Sequence, residues 1–228
     1  DRIKDGLVVT KKGSDAEKIG PIEVVEAAHP IPDENGVKAS SKIISTAKKA
    51  DRGDLVICLI SGGGSALMTS PAEGVKLDDI SKMTNLLLKS GANINEINSL
   101  RKHLSSFKGG RLAEAIAPAK GISLIISDVV GDPLEVIASG PTVPDKSTYH
   151  DAFEVLQKYS LVEKVPKAIK RTIRSGLDGE LPETLKRRQF ERMDMNNFII
   201  ANNITALKEI KKEAAYKGLN VLILSSMI

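Results

Sequence analysis

The sequence predicts an α/β protein with a doubly wound, mostly parallel, Rossmann-like sheet and helices on both faces. Short apolar runs alternate with longer helical patterns along the whole chain, which is the signature of such a sheet. The runs are rich in β-branched residues and apolar on both faces, as expected for strands that helices cover on two sides. We expect residues 1–228 to form a single Rossmann-like domain.

Each element follows from its local pattern. The predicted strands are residues 7–10, 22–26, 55–60, 122–127, 198–201 and 221–224. The predicted helices are approximately residues 37–50, 77–90, 94–105, 110–117, 151–159, 166–174 and 205–217. The segment 176–196 is highly charged and poor in strand signals. We interpret it as a surface excursion that contains a short helix.

The composition restricts the ligands that the protein can bind. Aromatic residues make up 3% of the chain and there is no Trp. A surface that binds single-stranded nucleic acid by base stacking needs aromatic side chains, so we expect no nucleic-acid partner. The net charge is +4, and the basic residues are spread along helices beside acidic ones, as on a solvated face. The mild positive excess also suits anionic ligands.

The single cysteine and the absence of a long apolar run indicate a cytoplasmic protein. Cys58 lies inside an apolar run, and one cysteine cannot form an internal disulfide or a cysteine-type zinc site. No signal-peptide pattern opens the chain, and no run approaches the roughly 18 apolar residues of a membrane span. The chain lacks an initial Met and stops just after a strand-like run, so we expect a fragment, or the ordered middle, of a longer protein.

The strongest local signal is the glycine-rich loop that follows the predicted strand 55–60. It reads Ser61-Gly62-Gly63-Gly64-Ser65. Glycines let backbone N–H groups approach a ligand closely, and a helix or tight turn starting at Ser65 would create an anion site. The pattern is not a Walker A loop, a G-x-G-x-x-G fingerprint or a nucleophile elbow. The alternative is a tight turn between strand and helix with no ligand.

A basic segment follows, in which Lys108 and Arg111 flank the pair Gly109-Gly110. Fixed cations beside backbone N–H groups suit a phosphoryl group or a carboxylate. Arg101, Lys102 and His103 lie just before it. The alternative is a solvated basic helix, with His103 in a structural role.

An acidic loop follows the predicted strand 122–127. Asp128 lies at the carboxyl end of that strand, where sites of such sheets lie, and Asp132 follows closely. These carboxylates are candidate Mg²⁺ ligands, and Asp128 is also a candidate proton acceptor. The alternatives are a turn at Asp132 and a helix N-cap at Asp128. Asn202, after the predicted strand 198–201, is a further candidate for ligand contact, and Asn203 is the expected N-cap.

Taken together and in order, four motifs resemble ATP-dependent glycerate 2-kinase, a family also labelled hydroxypyruvate reductase. The motifs are His29-Pro-x-Pro-Asp33; Ser61-Gly-Gly-Gly-Ser65; Arg101-Lys-His with Lys108-Gly-Gly-Arg111; and Ser127-Asp128-Val-Val-Gly131-Asp132-Pro133 with Ile137-Ala-Ser-Gly-Pro-Thr142. The resemblance covers essentially the whole chain.

The resemblance implies transfer of the ATP γ-phosphate to D-glycerate with a divalent metal, here Mg²⁺, and a cleft between two α/β domains. It implies that the loop Gly62–Ser65 holds the nucleotide phosphates. Ser61 and Asn202 complete the predicted nucleotide-binding set because of their positions beside that loop and at a strand end. Lys108 and Arg111 would neutralise phosphate or the glycerate carboxylate, and Asp128 and Asp132 would face the metal or the substrate. The predicted catalytic residues are Lys108, Arg111 and Asp128, and the predicted metal ligands are Asp128 and Asp132. Many members carry Gly-Asp-Asp-Pro where this chain has Gly131-Asp132-Pro133, which removes one carboxylate.

The resemblance also implies segments outside this sequence. The family's N-terminal segment, with a proposed catalytic lysine, would precede Asp1, and its smaller MOFRL-type domain would follow Ile228. We therefore expect this chain to be inactive by itself. Three alternatives stay open: an NAD(P)H-dependent hydroxypyruvate reductase, for which the dinucleotide fingerprint is missing, a non-catalytic nucleotide- or sugar-acid-binding module, and a serine hydrolase. A homodimer is compatible with the sequence.

Overall fold

The computed structural model describes residues 2–14 and 18–226, and in them every paired strand runs parallel to its neighbour. β1 (Gly6–Lys11) pairs with β2 (Ile22–Ala27) in a two-stranded sheet. β3 (Leu55–Ile60), β4 (Lys120–Ile126) and β5 (Met195–Ala201) form a second sheet in the order β3-β4-β5. The predicted parallel α/β class is confirmed, and the strands are divided between two sheets.

The helices follow the predicted pattern, with ends that shift by a few residues. They are α1 (Glu34–Ala47), α2 (Gly64–Leu67), α3 (Leu77–Lys89), α4 (Ile94–His103), α5 (Arg111–Ile116), α6 (Tyr149–Lys158), α7 (Lys167–Leu177), α8 (Arg187–Phe190) and α9 (Asn203–Tyr216). Side-chain caps explain the early starts: Asp33 accepts from the N–H of Gly36, and Thr148 accepts from the N–H of Asp151. Within residues 2–14 and 18–226, no helix has both the length and the apolarity to cross a membrane.

The buried apolar side chains form two main clusters. The larger one joins α3, α4, α6 and α7, with Met83, Leu87, Leu100 and Ile169 fully buried. The second packs α1 and α5 under the three-stranded sheet. Leu185 packs in this second cluster and is fully buried, and its backbone is hydrogen-bonded to Gly109 and Asp145. The interpretation of segment 176–196 as a surface excursion is therefore wrong at Leu185, although the short helix α8 lies there.

One face of the three-stranded sheet is covered by helices in the described residues and the other is exposed. Along β3, Leu55, Ile57 and Leu59 are 53%, 57% and 74% exposed, whereas Ile60 is buried and Cys58 is partly buried. Phe198 of β5 lies on the same face as Leu59 and is 51% exposed. The apolar outer face of these strands thus has no cover within the described part of the chain.

The predicted strand at residues 221–224 is wrong. The structure assigns no strand to this segment, and Leu222 and Leu224 are 77% and 88% exposed. A strand gains its stability from pairing and from packing of its apolar face, and neither is provided for this run by the described residues. An apolar run alone does not identify its partner.

The glycine at the start of α5 allows two segments to approach closely. Gly110 has φ 82°, and a Cβ there would lie 2.4 Å from Leu185 Cβ and 2.8 Å from the Val143 carbonyl oxygen. Gly179 has φ 77° with no atom within 4 Å of such a Cβ, so it is a matched control for backbone strain alone.

We predict that Gly110→Ala lowers the free energy of unfolding by about 2 kcal/mol or more beyond the loss in Gly179→Ala, because overpacking adds to the strain of positive φ. Urea unfolding of both variants measures the difference. Equal losses would show that the contact with Leu185 relaxes without cost.

Candidate functional site

The loops that follow β3 and β4 meet at the carboxyl edge of the three-stranded sheet. The Asp128 carboxylate lies against the backbone of Gly62, where a Cβ would be only 2.3 Å from Asp128 Oδ2. The two residues are sixty-six positions apart in sequence, and parallel pairing of β3 with β4 brings them together. The structure therefore unites the glycine-rich loop with the first predicted carboxylate.

The glycine-rich loop presents backbone donors beside His29. Gly63 has φ 79°, and a Cβ there would lie 3.0 Å from His29 Nε2. Among residues 2–14 and 18–226, no atom accepts a hydrogen bond from the N–H of Gly62 or Gly63. α2 begins at Gly64, one residue before the expected start at Ser65. The loop thus offers free donors at the edge of the sheet where ligands bind in such folds.

The side chain of Lys108 is hydrogen-bonded to the C-terminal end of the glycine-rich loop and to the turn that follows it. Its Nζ donates to the Ser65 carbonyl oxygen at 2.7 Å, to the Met68 carbonyl oxygen at 3.1 Å and to Ser65 Oγ at 3.2 Å. Ser65 Oγ also lies 2.9 Å from Ser139 Oγ, so this hydroxyl is engaged within the protein. Lys108 is 4% exposed. Burial, with the nearby positive charge of Arg101, lowers the pKa of Lys108 to about 7.

A cavity of about 430 Å³, here called the loop cavity, opens beside the glycine-rich loop. Its polar lining comes from α3, α4 and the loops, and no Asp or Glu lines it within the described residues. The lining residues with hydrogen-bonding or charged side chains include His29, Ser65, Thr84, Asn85, Arg101 and Lys108. Lys108 is thus shared between the loop and the cavity.

Asp132 and Asn202 are hydrogen-bonded to each other. Asn202 Nδ2 donates to Asp132 Oδ2 at 2.6 Å. Asn202 Oδ1 also accepts from the N–H of Thr205 at 3.0 Å and caps α9, so the prediction of Asn203 as the cap is wrong by one residue. The expected nucleotide contact of Asn202 and metal contact of Asp132 therefore compete with a bond inside the protein.

Of the two predicted metal ligands, Asp128 is available to a metal and Asp132 is hydrogen-bonded within the protein. No group of three or more His, Cys, Asp or Glu side chains that could hold a metal occurs in residues 2–14 and 18–226. Mg²⁺ is commonly held by one or two carboxylates together with substrate phosphates, so a full protein cage is not needed. Asp128 forms no hydrogen bond with the described residues and fits this role, whereas Asp132 is occupied by Asn202.

Arg111 does not line the loop cavity. Its Nη2 donates to the Pro182 carbonyl oxygen at 3.3 Å, and its Nε is buried with no partner in the described residues. It lines a second cavity of about 490 Å³ with Glu114 and Tyr149. The structure does not bring Arg111 to the loop that contains Ser65, because α5 starts at Arg111 and directs this side chain toward Pro182.

Two further basic residues of the segment have structural partners. Lys102 Nζ lies 3.0 Å from Asp145 Oδ1, and both side chains are buried. His103 Nε2 lies 2.9 Å from Glu183 Oε2, and its Nδ1 lies 2.8 Å from the Ser99 carbonyl oxygen. The structural interpretation of His103 agrees with these contacts.

Sequence reasoning did not select His29 or Arg101 as site residues. His29 entered only as part of the motif His29-Pro-x-Pro-Asp33, and Arg101 was one of several clustered cations. The only sequence signal for either residue was its place in one of the four motifs named above. Which cation of the cluster stays without a counter-ion depends on helix phase and on Asp145, and these appear only in three dimensions.

Comparison with known families matches residues 1–174 to a family described as "Domain of unknown function (DUF4147)". The chain is 47% identical over 226 residues to a glycerate 2-kinase of Pyrococcus horikoshii, covering 99% of this chain and 50% of the relative. It is 43% identical over 227 residues to a D-glycerate 2-kinase of Thermotoga maritima, covering 100% of this chain and 51% of the relative.

A solved structure agrees with these relatives. The crystal structure of a glycerate kinase from Thermotoga maritima matches with a TM-score of 0.85 and 44% identity, over 97% of this chain and 50% of that one. The chain spans about half the length of the curated relatives it matches. The chain therefore belongs to the DUF4147 family, and its expected resemblance to the glycerate 2-kinases is confirmed.

Proposed function

We propose that the protein containing these residues is a kinase that transfers the γ-phosphate of ATP to D-glycerate and forms 2-phosphoglycerate and ADP. The observation that supports this best is the meeting of free backbone donors at Gly62 and Gly63 with the carboxylate of Asp128. Phosphoryl transfer depends on positioning and on electrostatic stabilisation of phosphate charge, and these groups suit both tasks. The names of the relatives, glycerate 2-kinases, support the choice of acceptor.

In this proposal the described residues bind and orient the reactants. The N–H groups of Gly62 and Gly63 donate to nucleotide phosphate oxygens, and Ser61 lies at the entrance of the same loop. Asp128 would hold Mg²⁺ from the protein side, and the ion would neutralise phosphate charge. The acceptor is the 2-hydroxyl of glycerate, which attacks the γ-phosphorus in line with the departing ADP.

Lys108 acts in this proposal as a positioning residue. Its bonds to the Ser65 and Met68 carbonyl oxygens fix the end of the loop, so the N–H groups of Gly62 and Gly63 keep their direction. Its charge also lies next to the loop cavity. We leave Arg111 out of the proposed site because it faces the second cavity.

The location and partners stay predictions. We propose a cytoplasmic protein on the evidence of a single, partly buried Cys58. The scarcity of aromatic residues supports the absence of a nucleic-acid partner. Homodimer formation is part of the same proposal.

We expect the full-length gene product to release ADP from ATP and Mg²⁺ only when D-glycerate is present. A coupled ADP assay measures this, and mass spectrometry of the product identifies 2-phosphoglycerate. Oxidation of NADH with hydroxypyruvate would instead favour the reductase. ATP binding with no glycerate-dependent ADP release would favour a binding module.

Gly62→Ala tests the contact between the loop and Asp128. The added Cβ would displace the carboxylate, so we expect the KM for ATP to rise, or kcat to fall, by about tenfold or more. Gly53→Ala is the control, because a Cβ there meets no atom within 4 Å. Thermal midpoints verify that both variants fold. Wild-type kinetics in Gly62→Ala would remove the Asp128 contact from the proposed mechanism.

The lowered pKa of Lys108 predicts that the free energy of unfolding depends on pH. Its pKa is about 7 in the folded protein and 10.5 in its ordinary state, so between these values the unfolded chain binds more protons. The free energy of unfolding should therefore gain up to about 1.4 kcal/mol per pH unit as pH rises from 7 toward 10. Urea unfolding between pH 7 and pH 9 should show a smaller gain in Lys108→Met than in wild type.

The exposed Lys208 provides the control for this measurement. Lys208→Met should keep the wild-type dependence on pH. If Lys108→Met also keeps it, Lys108 is charged throughout this range in the folded protein.

A further inference from the structure

Among the described residues, two cationic side chains and no acidic one line the loop cavity. Arg101 and Lys108 both line it, and no Asp or Glu does so in the described residues. Arg101 is partly buried and forms no hydrogen bond or ion pair within residues 2–14 and 18–226. Burying a charge without a partner is costly, so a cation in this position calls for an anion that the described residues do not supply.

The neighbouring residue shows how the same helix treats a structural charge. Lys102 is buried and pairs with Asp145, whose Oδ1 lies 3.0 Å from Lys102 Nζ. Asp145 is in turn bonded by Thr184 Oγ1 at 3.0 Å and by Ser147 Oγ at 2.9 Å. The fold thus provides a counter-ion for Lys102 and leaves Arg101, one residue away, facing an open cavity.

The lining of the cavity indicates a small organic anion. Ile80 and Leu104 supply apolar walls, and Thr84 and Asn85 add a hydroxyl and an amide to the lining. The planar fork of an arginine matches a carboxylate in a bidentate manner. This combination of groups suits a short hydroxy acid, whose carboxylate and hydroxyls require different partners.

The position of Asp128 separates this ligand from the nucleotide. The carboxylate that fits a metal lies against Gly62, outside the set of residues that line the loop cavity. A metal-bound triphosphate therefore belongs on the Asp128 side. Gly63 lines the cavity and follows Gly62 directly, so the two ligands would meet at the glycine-rich loop.

We propose that the loop cavity is the acceptor subsite and that Arg101 binds the carboxylate of the short hydroxy acid, with Thr84 and Asn85 near its hydroxyls. The inference rests on the kinase function proposed above, because it assigns that function's acceptor to a place. It makes Arg101 the residue that selects an acid over an uncharged alcohol.

The test measures the KM of each substrate separately in the full-length protein. In Arg101→Met the KM for D-glycerate should rise about tenfold or more, while the KM for ATP stays within about twofold of wild type. Arg101→Lys should show a smaller increase, because the charge stays and the fork is lost. Arg188→Met removes the same charge from an exposed position and should behave as wild type in both.

Folding of the variants can be verified independently. Arg101→Met replaces an uncompensated cation by an apolar side chain, so its thermal midpoint should equal or exceed that of wild type. If that variant does not fold, Arg101→Lys and Thr84→Val decide: a raised KM for D-glycerate alone in both supports the subsite, and an unchanged one overturns it.

The remaining outcomes separate the subsite from the kinase proposal. A raised KM for ATP with an unchanged KM for D-glycerate in Arg101→Met would overturn the subsite and leave the kinase standing. If wild type releases no ADP with glycerate, the kinase proposal fails, and calorimetric titration of D-glycerate, glycolate and inorganic phosphate tests the cavity directly. The subsite is supported if the wild type binds D-glycerate or glycolate and Arg101→Met does not. It is overturned if the wild type binds only phosphate, or none of the three compounds.

Discussion

The Lys108 ammonium is the interaction on which the arrangement of the site depends. It spans from the segment before α5 to the carbonyl oxygens of Ser65 and Met68, at the two ends of the turn that follows the glycines. A loop of three glycines has little conformational preference of its own, so its shape must come from contacts made by neighbours. Lys108 provides such contacts from behind, and His29 and Asp128 close against Gly63 and Gly62 from other sides.

This interaction also sets the electrostatics of the region. Holding a buried lysine close to Arg101 concentrates positive charge where no acidic side chain compensates it in the described residues. Acidic side chains occur nearby, but Asp145 is engaged by Lys102 and Asp132 by Asn202. Both of these carboxylates are thus engaged within the protein, whereas Arg101 lies beside the glycine-rich loop with no counter-ion in the described residues.

Much of this architecture could be predicted from residue patterns, and the failures have physical reasons. β3 was predicted with its observed ends, and the contact between Gly62 and Asp128 follows from the rule that parallel strands end at one edge. Arg111 was misplaced because its direction depends on where α5 begins after Gly110, which has φ 82°. Segment 221–224 was taken for a strand because apolar runs do not reveal whether a pairing partner exists.

The uncovered face of the three-stranded sheet has a practical consequence for handling these residues in isolation. Leu59 and Phe198 lie on the same face of the sheet and expose apolar area to water. In addition, β3 and β5 are both edge strands in the described sheet. Contiguous exposed apolar area and open strand edges promote association between copies of a chain. A preparation restricted to these residues will therefore scatter light and elute early on gel filtration as its concentration rises, and ligand titrations on it would have to be made dilute.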